Sequence, residues 1–207
     1  MGSAKATIVG QKARSGSYTT DTAEYCGVIT NTGESTKYYN FCLKFTTPKF
    51  SGRSASLSVT MNAMENSPKA STIPLRWALC SSDTNFANYQ SKEDVTDSKQ
   101  IVTGTASFAV ESSYKNCSAF TISTDSLKSE TTYYLIIYSK KGVTSQNSLV
   151  FNQATKHSIT VKYYDAGLVY IDNGSGFDAY EIYIDNGSSW DAYEAYIDNG
   201  SKFELYS

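Results

Sequence analysis

Apolar and polar side chains alternate along most of this chain, and that period of two constrains the fold more than any other feature of the sequence. The clearest runs are Lys37 to Thr46, Ala55 to Ala63 and Ile73 to Cys80, each with one apolar face. These faces consist of Tyr39, Phe41, Leu43 and Phe45 in the first run, Leu57, Val59 and Met61 in the second, and Leu75, Trp77 and Leu79 in the third. Clusters of Gly, Asn, Ser and Asp separate the runs, which is typical of half-buried antiparallel strands.

Further segments carry strand signals, so that residues 1–165 hold roughly eight to ten strands. They are Cys26 to Thr30, Gln100 to Val110, Ser118 to Thr124, Thr131 to Ser139, Ser148 to Gln153 and Lys156 to Tyr164. The segment Thr131 to Ser139 is apolar on both faces, and we expect it at the centre of a sheet. The pattern predicts an all-β fold in which residues 1–165 form an antiparallel β-sandwich of the jelly-roll or immunoglobulin-like kind.

A short passage before the predicted central strand has a local sequence that is found at sandwich corners. Ser126 to Tyr133 reads Ser-Leu-Lys-Ser-Glu-Thr-Thr-Tyr. It resembles the leucine-turn-tyrosine passage of immunoglobulin-like and fibronectin-like sandwiches. The resemblance implies that the Tyr133 hydroxyl ties a corner of the sandwich to the backbone.

The polar stretch Ser81 to Lys99 has little periodicity beyond Phe86 and Tyr89, and it predicts a long loop with one helical turn. Loops of this length often carry function. Its acidic residues include Glu93, Asp94 and Asp97. Their spacing fits no calcium-loop motif, so a solvated acidic turn is the favoured interpretation.

From Tyr170 onward the chain repeats with a period of 13 residues. Three copies of Tyr-Ile-Asp-Asn-Gly-Ser begin at Tyr170, Tyr183 and Tyr196. Asn-Gly between alternating runs indicates a hairpin, because a type I′ turn needs positive φ at both central residues and these residues adopt it at least cost. Residues 166–207 are therefore predicted to form a second unit, an aromatic β-meander. Its turns are expected at Asn173-Gly174, Asn186-Gly187 and Asn199-Gly200.

Two-residue turns at these positions would place aromatic residues opposite one another. Tyr170 would face Phe177, Tyr183 would face Trp190, and Tyr196 would face Phe203. These six rings are the candidate contact residues for a glycan or for assembly. A meander this small cannot bury two aromatic faces by itself, so the sandwich, another subunit or a stacked glycan must cover one face. The sequence leaves these three alternatives open.

No pattern in the chain is typical of catalysis, a cofactor or a metal. The single histidine, His157, is in phase with Ile159 and Val161, so we expect it at the start of a strand's inward face. There is no Gly-x-Ser-x-Gly elbow, and the cysteines lack a Cys-x-x-Cys pair. Free buried thiols are predicted for Cys26, Cys42, Cys80 and Cys117. The repeated Asp172, Asp185 and Asp198 are interpreted as turn-stabilising side chains rather than calcium ligands, since the period differs from that of calcium-binding β-rolls.

The charge pattern excludes several classes of partner. The formal net charge is −2 and 18% of the residues are charged, which argues against a basic nucleic-acid surface or a basic membrane-binding patch. No apolar run approaches the roughly 20 residues of a membrane span, and the first residues lack the pattern of a signal peptide. We expect a protein that is made in soluble form and interacts with neither nucleic acid nor membrane.

The C-terminal repeat resembles a known group of proteins. Its residues Gly167 to Gly174, Tyr183 to Asp191 and the third copy look like the repeat of virion proteins from phages and prophages of gut Gram-positive bacteria. The passages Leu75 to Asp83 and Thr132 to Leu135 are similar to the sandwich domain that often precedes that repeat. The resemblance implies a component of the virion, made in the cytoplasm of the host bacterium, with a tail or adhesion role rather than an enzymatic one.

Two functions are consistent with these expectations. The first is a phage virion structural protein, a tail, baseplate or receptor-binding component that contacts other virion proteins and host cell-surface polysaccharide. It is expected to form a homo-oligomer, with a trimer favoured because virion fibres commonly use cyclic symmetry. The alternative is a glycan-binding module or cell-wall lectin, or a capsid decoration protein.

Overall fold

The computed structural model describes most of the predicted sandwich and the strands of the C-terminal repeat. The described residues are 2–14, 16–28, 40–65, 72–90, 95–117, 119–139, 147–164, 168–172, 177–181, 183–185, 190–192, 196–198 and 203–205. Side-chain surroundings are described within residues 2–164 and not in the repeat.

In the body, residues 2–164, the described ranges contain thirteen strands. They are β1 (Gly2–Lys5), β2 (Thr7–Ala13), β3 (Glu24–Val28), β4 (Asn40–Thr46), β5 (Arg53–Thr60), β6 (Asn62–Glu65), β7 (Thr72–Cys80), β8 (Gln100–Ala109), β9 (Lys115–Asn116), β10 (Phe120–Ser123), β11 (Thr132–Ser139), β12 (Asn147–Phe151) and β13 (Ser158–Tyr164). Two short 3-10 helices span Phe86–Gln90 and Ala154–Lys156. The prediction of an all-β fold is confirmed.

Five strands form one layer of the sandwich, here called the front sheet, in the order β2-β4-β11-β7-β8. All of its pairs are antiparallel. The strand β11 lies in the middle, as the two apolar faces of its sequence predict. Its inward residues Leu135 and Ile137 are fully buried, and its outward residues Ile136 and Tyr138 are almost fully buried.

The second layer, here called the back layer, consists of two sheets in the orders β1-β13-β5-β10 and β3-β12-β6-β9. The two orders correspond along the chain at three of their four positions, and at the fourth β1 and β3 are separated by β2 of the front sheet. β5 continues into β6 through Met61, β12 continues into β13, and β9 continues into β10. The back layer is therefore a four-stranded arrangement whose ladder is interrupted along one line.

The core lies between the two layers. The predicted apolar faces of β4, β5 and β7 all point into it, with exposures of 0 to 7% for every described member. Phe41 of the front sheet stacks on Phe151 of the back layer with ring centroids 4.2 Å apart, and Phe108 contacts both Phe151 and Phe120 edge-on. Tyr39 lies outside the described residues.

The predicted corner hydrogen bond at Tyr133 is confirmed. The Lys128 backbone N–H donates to the Tyr133 hydroxyl oxygen at 2.8 Å, and Leu127 beside it is 4% exposed. The turn that carries Lys128 is joined to β4 as well, since the Thr47 hydroxyl donates to the Lys128 carbonyl at 2.6 Å. The tyrosine thus fixes the entry of the chain into the central strand.

A polar network fills the interruption of the back layer. The Asn62 backbone N–H donates to Nδ1 of His157 at 3.0 Å, so the ring proton lies on Nε2, which donates to Oε1 of Gln11 at 2.9 Å. The Gln11 amide nitrogen in turn donates to the carbonyls of Thr22 and Asn152. Because Gln11 belongs to the front sheet, this network joins both layers. The expected inward position of His157, which is 5% exposed, is confirmed.

The C-terminal repeat forms three hairpins. Their strands are β14 (Leu168–Asp172), β15 (Phe177–Glu181), β16 (Tyr183–Asp185), β17 (Trp190–Ala192), β18 (Tyr196–Asp198) and β19 (Phe203–Leu205). Each hairpin is a separate two-stranded antiparallel sheet. In the part of the repeat that the structure describes, no strand pairs with the next hairpin, so the predicted continuous meander is not confirmed.

The predicted register of the hairpins is wrong by two residues. Asp172 is paired with Phe177 and Tyr170 with Ala179, where a two-residue turn would have paired Tyr170 with Phe177. The second and third hairpins show the same shift, with Asp185 opposite Trp190 and Asp198 opposite Phe203. The predicted turns themselves, at Asn173-Gly174, Asn186-Gly187 and Asn199-Gly200, lie outside the described residues.

We predict that stability falls with acidity through His157. Burial lowers the pKa of His157 from 6.5 to about 4, so the unfolded chain binds a proton between these values that the folded chain does not. The stabilisation is complete above pH 6.5 and is lost as the pH falls towards 4, at about 1.4 kcal/mol per pH unit. Urea unfolding at pH 7, 6 and 5 measures it. His157→Gln should be less stable than the parent protein at pH 7, and its free energy of unfolding should not fall in this way between pH 6.5 and pH 4. An equal dependence on pH in both proteins would contradict the prediction.

We also predict that Tyr133→Phe lowers the free energy of unfolding by about 1 kcal/mol, because the Lys128 N–H loses its acceptor while the buried ring stays in place. Tyr114→Phe is the matched control, since Tyr114 is 37% exposed and removal of its hydroxyl should change stability by less than about 0.5 kcal/mol. Denaturant unfolding compares the two. Equal effects would show that the corner bond contributes nothing.

Candidate functional site

The loop after β7 covers one part of the outer face of the front sheet, and the side chains on another part of that face are only half-buried. The segment that follows β7 folds back so that Phe86 and Tyr89 pack on the outward side chains of β4, β7 and β11. Tyr89 is fully buried, and its ring meets Tyr138 edge-on at 5.0 Å. The Asn40 amide donates to the Phe86 carbonyl at 2.6 Å and fixes the segment to β4. The prediction of a loop with one helical turn is confirmed, and part of this loop is core.

The acidic residues of this loop have structural roles where the structure describes them. Asp97 is 8% exposed and accepts hydrogen bonds from the Asn85 amide and the Lys99 backbone N–H, both at 2.8 Å. Glu93 and Asp94 lie outside the described residues. Within the described ranges no group of three or more His, Cys, Asp or Glu side chains is placed to hold a metal ion.

Beside this cover lies a cluster of five half-buried side chains, here called the tyrosine–lysine patch: Lys12, Tyr18, Lys44, Asp83 and Tyr134. The two tyrosine rings lie 6.2 Å apart at an interplanar angle of 52°. Lys44 Nζ lies 5.4 Å from the centre of the Tyr18 ring and 5.9 Å from that of Tyr134. Lys12 Nζ lies 4.7 Å from the Tyr18 ring and forms an ion pair with Asp83 at 2.6 Å.

The register of the front sheet places Lys12, Lys44 and Tyr134 of the patch next to one another. Lys44 alternates with the buried residues of β4, so it points to the outer face. Its neighbours across the sheet are Gly10 of β2 and Tyr134 of β11. Lys12 lies two residues further along β2, opposite Cys42. The three side chains therefore share one face of the front sheet.

Tyr18 reaches the patch because of a close backbone approach at Gly10. Gln11 and Thr19 exchange backbone hydrogen bonds of 2.8 Å, which lays the segment before β3 alongside β2. A Cβ at Gly10 would lie 3.2 Å from the Thr19 carbonyl oxygen and 3.4 Å from the Tyr18 Cβ. The missing side chain at Gly10 thus leaves the space that the Tyr18 segment uses.

The charges of the patch follow from its contacts. Burial opposes ionisation of Asp83, but hydrogen bonds from Lys12 and from the Tyr18 hydroxyl at 2.7 Å outweigh it and keep the pKa of Asp83 below its ordinary value. Burial, aided by Cys42 and Asp83, raises the pKa of Tyr18. Lys12 and Asp83 are therefore an ionised pair, and Tyr18 is a neutral hydrogen-bond donor.

The patch combines aromatic ring faces with charged and hydrogen-bonding groups, a combination that is typical of binding surfaces. It presents two half-exposed rings, two ammonium groups and one carboxylate. Burial raises the pKa of the adjacent Cys42 thiol to about 12, so this thiol stays protonated and unreactive. His157 uses both ring nitrogens in the layer network described above.

The thiols that the structure describes are free and buried, as the sequence predicts. They are Cys42, Cys80 and Cys117. Burial raises the pKa of Cys80 and of Cys117 to about 11. The Cys26 side chain lies outside the description.

The six candidate rings of the repeat remain untested as contact residues. The structure describes the backbone of Tyr170, Phe177, Tyr183, Trp190, Tyr196 and Phe203, whose side-chain surroundings lie outside the description. The sequence analysis did not identify the tyrosine–lysine patch. The outward alternation of Lys44 and Tyr134 was the available signal, whereas nothing local to Tyr18 or Asp83 indicates their position.

Comparisons with known proteins assign no family. No protein-family model matches the chain, and no curated protein matches it. Six chains of solved structures are similar. One of them, described as "CBM4 structure and function", is 8% identical, with 68% of this chain and 86% of that chain covered and a TM-score of 0.31. A TM-score this low carries no functional argument. Among the helices in the described part of the chain, none is long and apolar enough to cross a membrane.

Proposed function

We propose that this chain is a structural protein of a phage virion, a tail, baseplate or receptor-binding component that attaches the particle to host cell-surface polysaccharide. The observation that carries the attachment role is the tyrosine–lysine patch. Rings with neighbouring charged and hydroxyl groups can pack on the apolar face of a sugar and bond its hydroxyls. The virion setting is supported by the repeat that resembles phage proteins.

The surroundings of the patch favour a rigid, non-enzymatic binding surface. Lys44 and Tyr134 lie on the paired strands β4 and β11, and Tyr134 follows directly on the Tyr133 corner. Asp83 is fixed by two hydrogen bonds. Such a surface loses little conformational freedom when a ligand binds, which favours affinity.

A glycan-binding module or cell-wall lectin, or a capsid decoration protein, is the second candidate, and the same patch favours the lectin. The genes that neighbour this one in the genome distinguish the virion protein from the lectin. Neighbouring tail, holin and lysin genes would support the virion role, and their absence together with an export signal in the full-length protein would support the lectin.

We further propose that the chain forms a homo-oligomer, most simply a trimer, through the aromatic repeat. Each repeat carries three large rings at fixed offsets, more apolar surface than separate two-stranded hairpins can bury. Contact with copies of the same segment, and with other virion proteins, would cover it.

We predict that the protein is retained on cell walls of gut Gram-positive bacteria and that Tyr134→Ala reduces the retention roughly tenfold, because one ring contact is lost. Tyr114→Ala, which removes a ring outside the patch, is the matched control and should be retained normally. Trp190→Ala tests whether the repeat contributes to retention. Pull-down with purified cell walls measures the retention of the parent and the three variants. Loss in Trp190→Ala alone would move the site to the repeat, and no retention of the parent on any wall would leave a purely architectural role.

We predict that removal of all residues after Gly167 lowers the mass in solution from oligomer to monomer, because the deleted segment carries the repeat rings. Light scattering measures the mass, and circular dichroism and thermal unfolding show whether the sandwich remains folded. An unchanged oligomer would place the contact in the body, and a monomeric parent would refute the assembly role.

A further inference from the structure

The two lysines of the tyrosine–lysine patch are in different electrostatic situations. Lys12 forms the ion pair with Asp83 and also lies 4.7 Å from the centre of the Phe86 ring. Among the residues that the structure describes, Asp83 is the carboxylate of this patch, and its oxygen binds Lys12 rather than Lys44. Lys44 is held near the two tyrosine rings. The patch therefore carries one positive charge in excess, on a chain whose net charge is −2.

The two neighbouring rings position Lys44 but do not neutralise its charge. Attraction to a ring quadrupole contributes about 0.5–1 kcal/mol at exposed sites and leaves the ammonium donors free to bond. A charge-assisted hydrogen bond to an anion is stronger and shorter than a neutral one. An anionic group that approaches Lys44 would therefore add an interaction that the protein itself does not supply.

The number and placement of charges define the ligand class. One excess positive charge is too few for a nucleic acid, whose binding depends on many simultaneous phosphate contacts. The two rings next to Lys44 fit a ligand that offers an apolar face next to its charge. A sugar that carries a carboxylate or a phosphodiester has both features.

We propose that the tyrosine–lysine patch binds an acidic polysaccharide, with Lys44 Nζ paired to the carboxylate or phosphodiester and the sugar packed against Tyr18 and Tyr134. This inference rests on the proposed attachment function and names its ligand class. Lys12 and Asp83 hold Tyr18 in place through the ion pair and the hydroxyl bond. Lys44 supplies the charge recognition.

The test is a titration of the full chain with three soluble polymers of similar length: polygalacturonate, poly(glycerol phosphate) and neutral dextran. Calorimetry at low and moderate salt gives the affinities. The first two polymers separate the carboxylate and phosphodiester sources of charge, and dextran tests the need for charge. We expect one or both acidic polymers to bind, more weakly as salt rises, and dextran not to bind.

The decisive variant is Lys44→Met, which keeps an unbranched apolar side chain next to the rings and removes the charge. The matched control is Lys162→Met, an equal charge change at an exposed position of β13 in the back layer. We expect Lys44→Met to weaken acidic-polymer binding roughly tenfold to a hundredfold and Lys162→Met to change it less than about twofold. Lys44→Arg should retain binding, and Lys44→Gln replaces Lys44→Met if thermal unfolding shows that the latter does not fold.

Several results would overturn the proposal: equal losses in the two methionine variants, full binding by Lys44→Met, binding of dextran as tight as that of the acidic polymers, or no binding of either acidic polymer. Retention on cell walls separates this inference from the attachment role. A parent that is retained equally with and without the Lys44 charge refutes the acidic ligand and leaves attachment standing. Lys44-dependent polymer binding without retention on any wall refutes attachment instead.

Discussion

Strand β11 is buried on both faces, and the arrangement of the rest of the body follows from the need to cover them. Its inward residues are covered by the back layer, as in any two-layer sandwich. Its outward residues need a second cover, which the segment after β7 supplies through Phe86 and Tyr89. Phe86 and Tyr89 do not cover the whole length of β11. Tyr134 stays half-exposed at the uncovered end, and the tyrosine–lysine patch is built around it.

The interruption of the back layer leaves backbone polar groups that side chains must pair. The ladder breaks where β5 passes into β6 and β12 passes into β13, which leaves backbone groups of Asn62 and Asn152 to be paired by side chains. His157 and Gln11 do so only while the imidazole is neutral, because a protonated Nδ1 cannot accept the Asn62 N–H. The only histidine of the chain is thus a structural acceptor, and its burial makes the connection between the layers sensitive to acid.

Sequence patterns predicted the parts of this structure that depend on local periodicity. Phe41, Leu43 and Phe45 are buried as their alternation requires, β11 is central, and Tyr133 makes the corner bond that its neighbours imply. The hairpin register was wrong because Asn-Gly specifies a turn but not the loop length around it. The patch was missed because it joins positions 12, 18, 44, 83 and 134, and only the pairing of β2, β4 and β11 brings most of them together.

The two aromatic surfaces of this protein differ in a way that bears on their roles. The repeat offers the same residues three times at constant spacing, with the same acidic and amide neighbours, and identical units are suited to contact with further identical units. The patch occurs once and combines rings with charges that do not cancel. Packing between apolar surfaces gains nothing from an ammonium group without a carboxylate partner, whereas recognition of an anionic ligand is strengthened by one. We therefore propose assembly for the repeat and recognition for the sandwich face, and Lys44 is the residue on which this division of roles depends.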